Sequence, residues 1–118
     1  MVLQLLDTPF TYSINARKMS NNYYAVIFTT KQSTNLEGYS EMAEAMEVLA
    51  AKQPGYIGVE SASGELGITV SYWETLEAIS QWKENIAHLR AQEKGKAQWY
   101  TWYKLRICKV EREYEFMK

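Results

Sequence analysis

His88 is the one histidine of a 118-residue chain, and it sits in the run "NIAHLRAQEKGKAQWYTWY". Asn85 stands about one helical turn before it and Gln92 one turn after. An imidazole can take or give a proton near neutral pH, or hydrogen-bond a bound phenol or carbonyl. Asn85 and Gln92 could orient a ligand oxygen, and Trp82 or Trp99 could supply a flat apolar wall. The same spacing also suits a half-buried histidine at the boundary between core and solvent.

These residues need a helix to align them. At 100° per residue, Ile79, Trp82, Ile86 and Leu89 fall within about an 80° arc, the face expected to meet a core. Asn85, His88, Gln92 and Trp99 form a second arc beside it if the helix runs unbroken over 75–98. The polar set thus flanks the apolar seam, where it can line a space between helix and sheet or ring the edge of solvent. Thr75, with Glu74 and Glu77 nearby, is a fitting N-terminal signal for this helix.

The other elements follow from periodicity. "NYYAVIFTTK" (22–31) is β-branched and aromatic and predicts a strand. Apolar on both faces, it is expected at the centre of a sheet. "EGYSEMAEAMEVLAAKQ" (37–53) carries Tyr39, Met42, Met46 and Leu49 at helical spacing, with Glu41, Glu44 and Glu47 opposite. Pro54-Gly55 ends that helix. "GYIGVESAS" (55–63) and "LGITVSYWE" (66–74) predict a hairpin around Gly64. "WYTWYKLRICKVEREYEF" (99–116) predicts a long final strand, its sign-alternating end a solvated edge.

The order β-α-β-β-α-β predicts an α+β, ferredoxin-like antiparallel sheet with both helices on one face. The other face would then be a large apolar patch. A second copy packed face to face with two-fold symmetry covers it, so a homodimer is expected. Residues 1–21 read as an N-terminal arm that docks on a neighbour or stays mobile, with 22–118 the folded domain. Met19 could be the natural start.

Composition narrows the chemistry. A formal net charge of −1 without a basic block gives no footprint for nucleic acid or an anionic membrane surface. All four Trp lie in the C-terminal half, with the candidate residues, and the nine Tyr are spread along the chain. One Cys and one His disfavour a protein-only metal site. Cys108 is expected as a small buried hydrophobe, in keeping with a reducing, cytoplasmic setting. "MVLQLLDTPF" lacks the basic region and apolar length of a signal peptide, and no segment approaches a membrane span. No P-loop, GxGxxG, nucleophile elbow or HExxH motif occurs.

Together, "YYAVIFTT", "PGYIGVES", "GITVSYWETLEAISQWKENIAHLRAQEKGKAQWY" and "RICKVEREYEF" resemble the antibiotic biosynthesis monooxygenase (ABM) family, above all its small stand-alone bacterial members. The likeness covers about residues 22–116. It implies a dimeric α+β barrel and a pocket between the sheet and the helices of one subunit. Characterised members include oxygenases of polycyclic phenols that need no metal or flavin, quinol oxygenases and haem-degrading enzymes. Trp82 matches the family's helix tryptophan, and Asn85, His88 and Gln92 match polar positions of the small-protein subgroup.

The haem-degrading branch fits less well. Its axial histidine falls about where Gln92 stands, and its first-strand asparagine where this chain has "YYAVIF". The resemblance therefore implies a cofactor-free monooxygenase of a small aromatic phenol or quinol. His88 would be base or donor, Asn85 and Gln92 would fix ring oxygens, and Trp82, Trp99 and Tyr72 would form apolar walls. The competing expectations are a non-catalytic dimer that binds or senses a small ligand, and a stress-related protein with a vestigial pocket.

Overall fold

The computed structural model describes residues 10–14, 22–88 and 98–118. Its elements run β1 (Phe10–Ile14), β2 (Tyr23–Gln32), α1 (Tyr39–Ala51), β3 (Tyr56–Ala62), β4 (Gly67–Trp73), α2 (Leu76–His88) and β5 (Tyr100–Val110). The strands form one antiparallel sheet in the order β1-β3-β4-β2-β5. Elements β2 to β5 with the two helices make the expected βαββαβ arrangement. The sheet is open, with β1 and β5 as its edges.

Strand β2 is central, as its two-sided apolar sequence requires, with β4 on one side and β5 on the other. Alternation along the strands gives the sheet two unlike faces. Val26, Val59 and Trp73 point toward the helices and join Met46 and Ala50 of α1 and Ile79 and Trp82 of α2 in one buried cluster. Phe28 on that face packs with Tyr39, Ala43, Trp99 and Tyr100 in a second.

The core stripe of α1 is Tyr39, Ala43, Met46 and Ala50, with Met42 and Leu49 partly buried beside it. Small alanines at two of the innermost positions let the helix backbone lie close to the sheet. Gly55, at φ +84°, reverses the chain after α1. A Cβ there would stand 2.7 Å from Cβ of Ala78, so this turn also admits α2 to close range.

Three expectations change. The last strand ends at Val110 and not at 116, because Val110 pairs with Tyr23 and the ladder partner begins there. Cys108 is only partly buried, since it lies opposite Ala25 on the face away from the helices. Within the arm, residues 10–14 form a fifth strand of the same sheet, in register with Ala62 to Gly58 of β3. The predicted continuation of the second helix over 89–97 lies outside the described residues.

Candidate functional site

Helix α2 starts where Thr75 Oγ1 accepts the Ala78 N–H at 3.0 Å, the N-cap read from the sequence. Its apolar stripe seats Trp82 fully inside. The Trp82 indole stacks on Trp73 of β4, with centroids 5.9 Å apart and planes at 29°. Trp73 Nε1 donates to Ser71 Oγ at 2.9 Å. Trp82 Nε1 is buried and, among the described residues, donates to nothing. An unmet buried donor costs about 1–3 kcal/mol, so this N–H is primed for an acceptor.

One turn on, Asn85 Nδ2 donates to Gln53 Oε1 at 2.7 Å, and Gln53 Nε2 donates to the Leu49 carbonyl at 3.2 Å. This bridge fastens the last described turn of α2 to the segment just after α1 and, through Leu49, to the C-terminal turn of α1. Asn85 is therefore held in a fixed orientation beside the helix–sheet layer. His88 is the last residue of α2 and follows Asn85 by one turn. The His88 side chain and all of Gln92 lie outside the described residues.

Trp99 is placed apart from this group. It is fully buried, its Nε1 donates to the Glu37 carbonyl at 2.9 Å, and its ring meets Tyr39 edge-on at 5.5 Å. It ties the start of β5 to the N-terminal end of α1, in the cluster with Phe28 and Tyr100. Burial drives the pKa of the Tyr100 phenol far up, and the Tyr39 phenol is raised mainly by burial too.

Tyr72 neighbours Trp73 in β4 and so points to the opposite face of the sheet from Trp82. There its hydroxyl donates to Glu60 Oε1 at 2.5 Å, and its ring meets Tyr23 edge-on at 5.9 Å. Burial, then the Glu60 carboxylate, raises the Tyr72 pKa strongly. Burial and the nearby Glu113 carboxylate raise that of Tyr23.

The structure thus brings together Trp82, Asn85 and the His88 position on α2, and separates Trp99 and Tyr72 from them. It adds Trp73 and Gln53. The alternation in "ITVSYW" already carries the information that Tyr72 and Trp73 face opposite ways. No local signal marks Gln53, whose contact with Asn85 spans 32 residues. Among the described residues, no three His, Cys, Asp or Glu side chains gather as metal ligands, and no helix is long and apolar enough to cross a membrane.

Comparison with known proteins places this geometry. No protein-family model matches the chain. The uncharacterised protein YqjZ of Bacillus subtilis strain 168 is 50% identical over 99 residues, spanning 81% of this chain and 86% of YqjZ. Among solved structures, a candidate antibiotic biosynthesis monooxygenase from Nitrosomonas europaea superposes with a TM-score of 0.60 at 12% identity, over 77% of this chain and 91% of that one. MupZ from Pseudomonas fluorescens superposes with a TM-score of 0.54 at 15% identity, over 75% of this chain and 70% of MupZ. At such identities the structural likeness speaks to the fold. The chain belongs to the family of YqjZ, and it carries the ferredoxin-like α+β fold of the Nitrosomonas protein.

Proposed function

We propose that this chain is a monooxygenase that acts without a bound cofactor on a small aromatic phenol or quinol, held between α2 and the helix-facing side of the sheet. The observation that carries the reading is the buried Nε1 of Trp82, which donates to nothing among the described residues, beside an anchored Asn85, on a fold shared with a candidate monooxygenase. An aromatic substrate with a ring oxygen supplies the acceptor that Trp82 Nε1 lacks among the described residues.

In this mechanism His88 takes the phenolic proton. The electron-rich phenolate then passes an electron to dioxygen, and the radical pair joins at the ring carbon. Loss of water leaves a quinone. One oxygen atom enters the ring, the other leaves as water, and the substrate supplies all four electrons. The N–H of Trp82 stabilises negative charge on the substrate oxygen, where a fixed donor in a dry site is most effective. Asn85, oriented by Gln53, and Gln92 position the ring. Trp99 and Tyr72 stand apart from Trp82 and are left out of the pocket walls.

Calorimetric titration with a panel of phenols and quinols tests the site without requiring turnover. A ligand should bind the wild-type chain, and Trp82→Phe, which keeps an aromatic ring and deletes the N–H, should weaken it roughly tenfold. Equal binding by the variant contradicts the assigned donor. Binding without oxygen consumption would favour a ligand-binding or sensing protein.

A further inference from the structure

The stacked indoles of Trp82 and Trp73 continue into a third ring. Tyr56 pairs with Trp73 in the β3–β4 ladder, and its ring meets the Trp73 indole edge-on, with centroids 5.4 Å apart and planes at 78°. Trp82, Trp73 and Tyr56 thus form a file of rings, each within 5.9 Å of the next. The two indoles are fully buried, and Tyr56 is half-buried. Indole and phenol are among the side chains that give up a single electron most readily. The file starts at the N–H assigned above to the pocket and ends at the edge of solvent.

We propose that this file is a redox relay, which carries oxidising equivalents out of the pocket from Trp82 through Trp73 to Tyr56. Its role rests on the monooxygenase reading, because oxygen chemistry supplies the oxidant, but the path does not. An alkoxyl- or peroxyl-class radical, the by-product of an oxygen reaction that miscarries, takes one electron from Trp82 and becomes an anion. Trp73 returns an electron to Trp82, and Tyr56 returns one to Trp73. Tyr56 loses its phenolic proton as it is oxidised, and the anion takes up a proton from water. A thiol in solution then gives one hydrogen atom to the neutral tyrosyl radical and becomes a thiyl radical. The protein ends unchanged, and the pocket radical ends as an alcohol or a hydroperoxide.

Proton release sets the direction of travel. An oxidised indole is a cation until its N–H proton leaves. Nε1 of Trp82 is buried and has no acceptor among the described residues, and Nε1 of Trp73 donates to the Ser71 hydroxyl, too weak a base to take the proton. A buried cation without a counter-charge is costly, so the hole rests on neither indole. The Tyr56 phenol borders solvent, and the Glu47 carboxylate stands close enough to raise its pKa. Burial, then Glu44, raises the pKa of Glu47 itself, which makes it a better proton acceptor. Oxidation at Tyr56 therefore ends in a neutral radical, where the proton has somewhere to go.

Light-driven oxidation of the full chain tests the path without turnover. A ruthenium(II) polypyridyl complex is attached to the imidazole of His88, the single histidine, on the helix that carries Trp82. A flash in the presence of a cobalt(III) quencher makes ruthenium(III), and transient absorption with freeze-quench EPR follows the hole. The wild type should show a tryptophan radical that decays into a tyrosyl radical. Tyr56→Phe should abolish the tyrosyl signal and lengthen the life of the tryptophan radical. Trp73→Phe should stop the hole at Trp82, because phenylalanine is not oxidised under these conditions. Tyr114→Phe, at an 87% exposed ring, should change nothing. If Trp73→Phe does not fold, Trp82→Phe takes its place and should abolish the tyrosyl signal. A wild type that forms no tyrosyl radical, a tyrosyl signal that survives in Tyr56→Phe, or Tyr56 oxidation unchanged when an indole of the file is removed would each overturn the relay. No oxygen is consumed in this experiment, so its failure is distinct from failure of the monooxygenase reading, which oxygen uptake tests.

Discussion

The indoles of Trp73 and Trp82 stack 5.9 Å apart and join α2 to the sheet through two fully buried side chains. Trp82→Ala would leave a large cavity there and should cost about 3–5 kcal/mol. Trp82→Phe should cost far less, because the N–H it deletes has no partner among the described residues. Urea unfolding of the two variants checks the ordering, and equal losses would contradict the assigned contact.

Gly55 combines a positive φ of +84° with a close approach to Ala78. Gly55→Ala should destabilise the chain by more than about 1 kcal/mol. Adding Ala78→Gly should recover only part of the loss, since it relieves the contact and not the backbone strain. Complete recovery in chemical denaturation would show that the backbone conformation carries no cost.

The Asn85–Gln53 bond should appear as coupling between the helices. In a double-mutant cycle, Asn85→Ala and Gln53→Ala should lose less together than the sum of their separate losses, by about 1 kcal/mol. Strict additivity would mean that the two amides do not support each other.

The phenol of Tyr56 is pushed up to about 12, first by burial and then by the Glu47 carboxylate. Unfolded, it titrates near its ordinary value of 10.0. Its contribution to stability is therefore complete below that pH and is lost as pH rises through about 12, because the unfolded chain releases this proton first. The difference in ultraviolet titration between wild type and Tyr56→Phe should show a step near 12, and a step near 10 would contradict it. Glu47→Gln should lower the value only slightly, since burial is the larger cause.

Much of this fold is written in local periods. The doubly apolar "YYAVIF" requires a central strand, and Thr75 and the Pro54-Gly55 pair place the ends of the two helices. The end of β5 is not local, because "EREYEF" alternates like a strand but, among the described residues, the ladder with β2 stops at the Tyr23–Val110 pair. The short "FTYSI" becomes a strand only through pairing with β3. On α2, helical spacing puts Trp82 on the core-facing arc, where it is fully buried, and Asn85 on the arc beside it, where it is half-buried. It cannot foresee that Trp99 would be claimed by Tyr39 and Glu37, or that Gln53 would hold Asn85.

Oxygen uptake by the purified, metal-stripped protein, with a panel of quinols and polycyclic phenols, tests the central claim most directly. A cofactor-free monooxygenase should show uptake well above background with at least one substrate, one oxygen atom of labelled dioxygen in the product, and loss of activity in His88→Ala. Uptake that is unchanged in His88→Ala, or that appears only when a metal or flavin is restored, would contradict it.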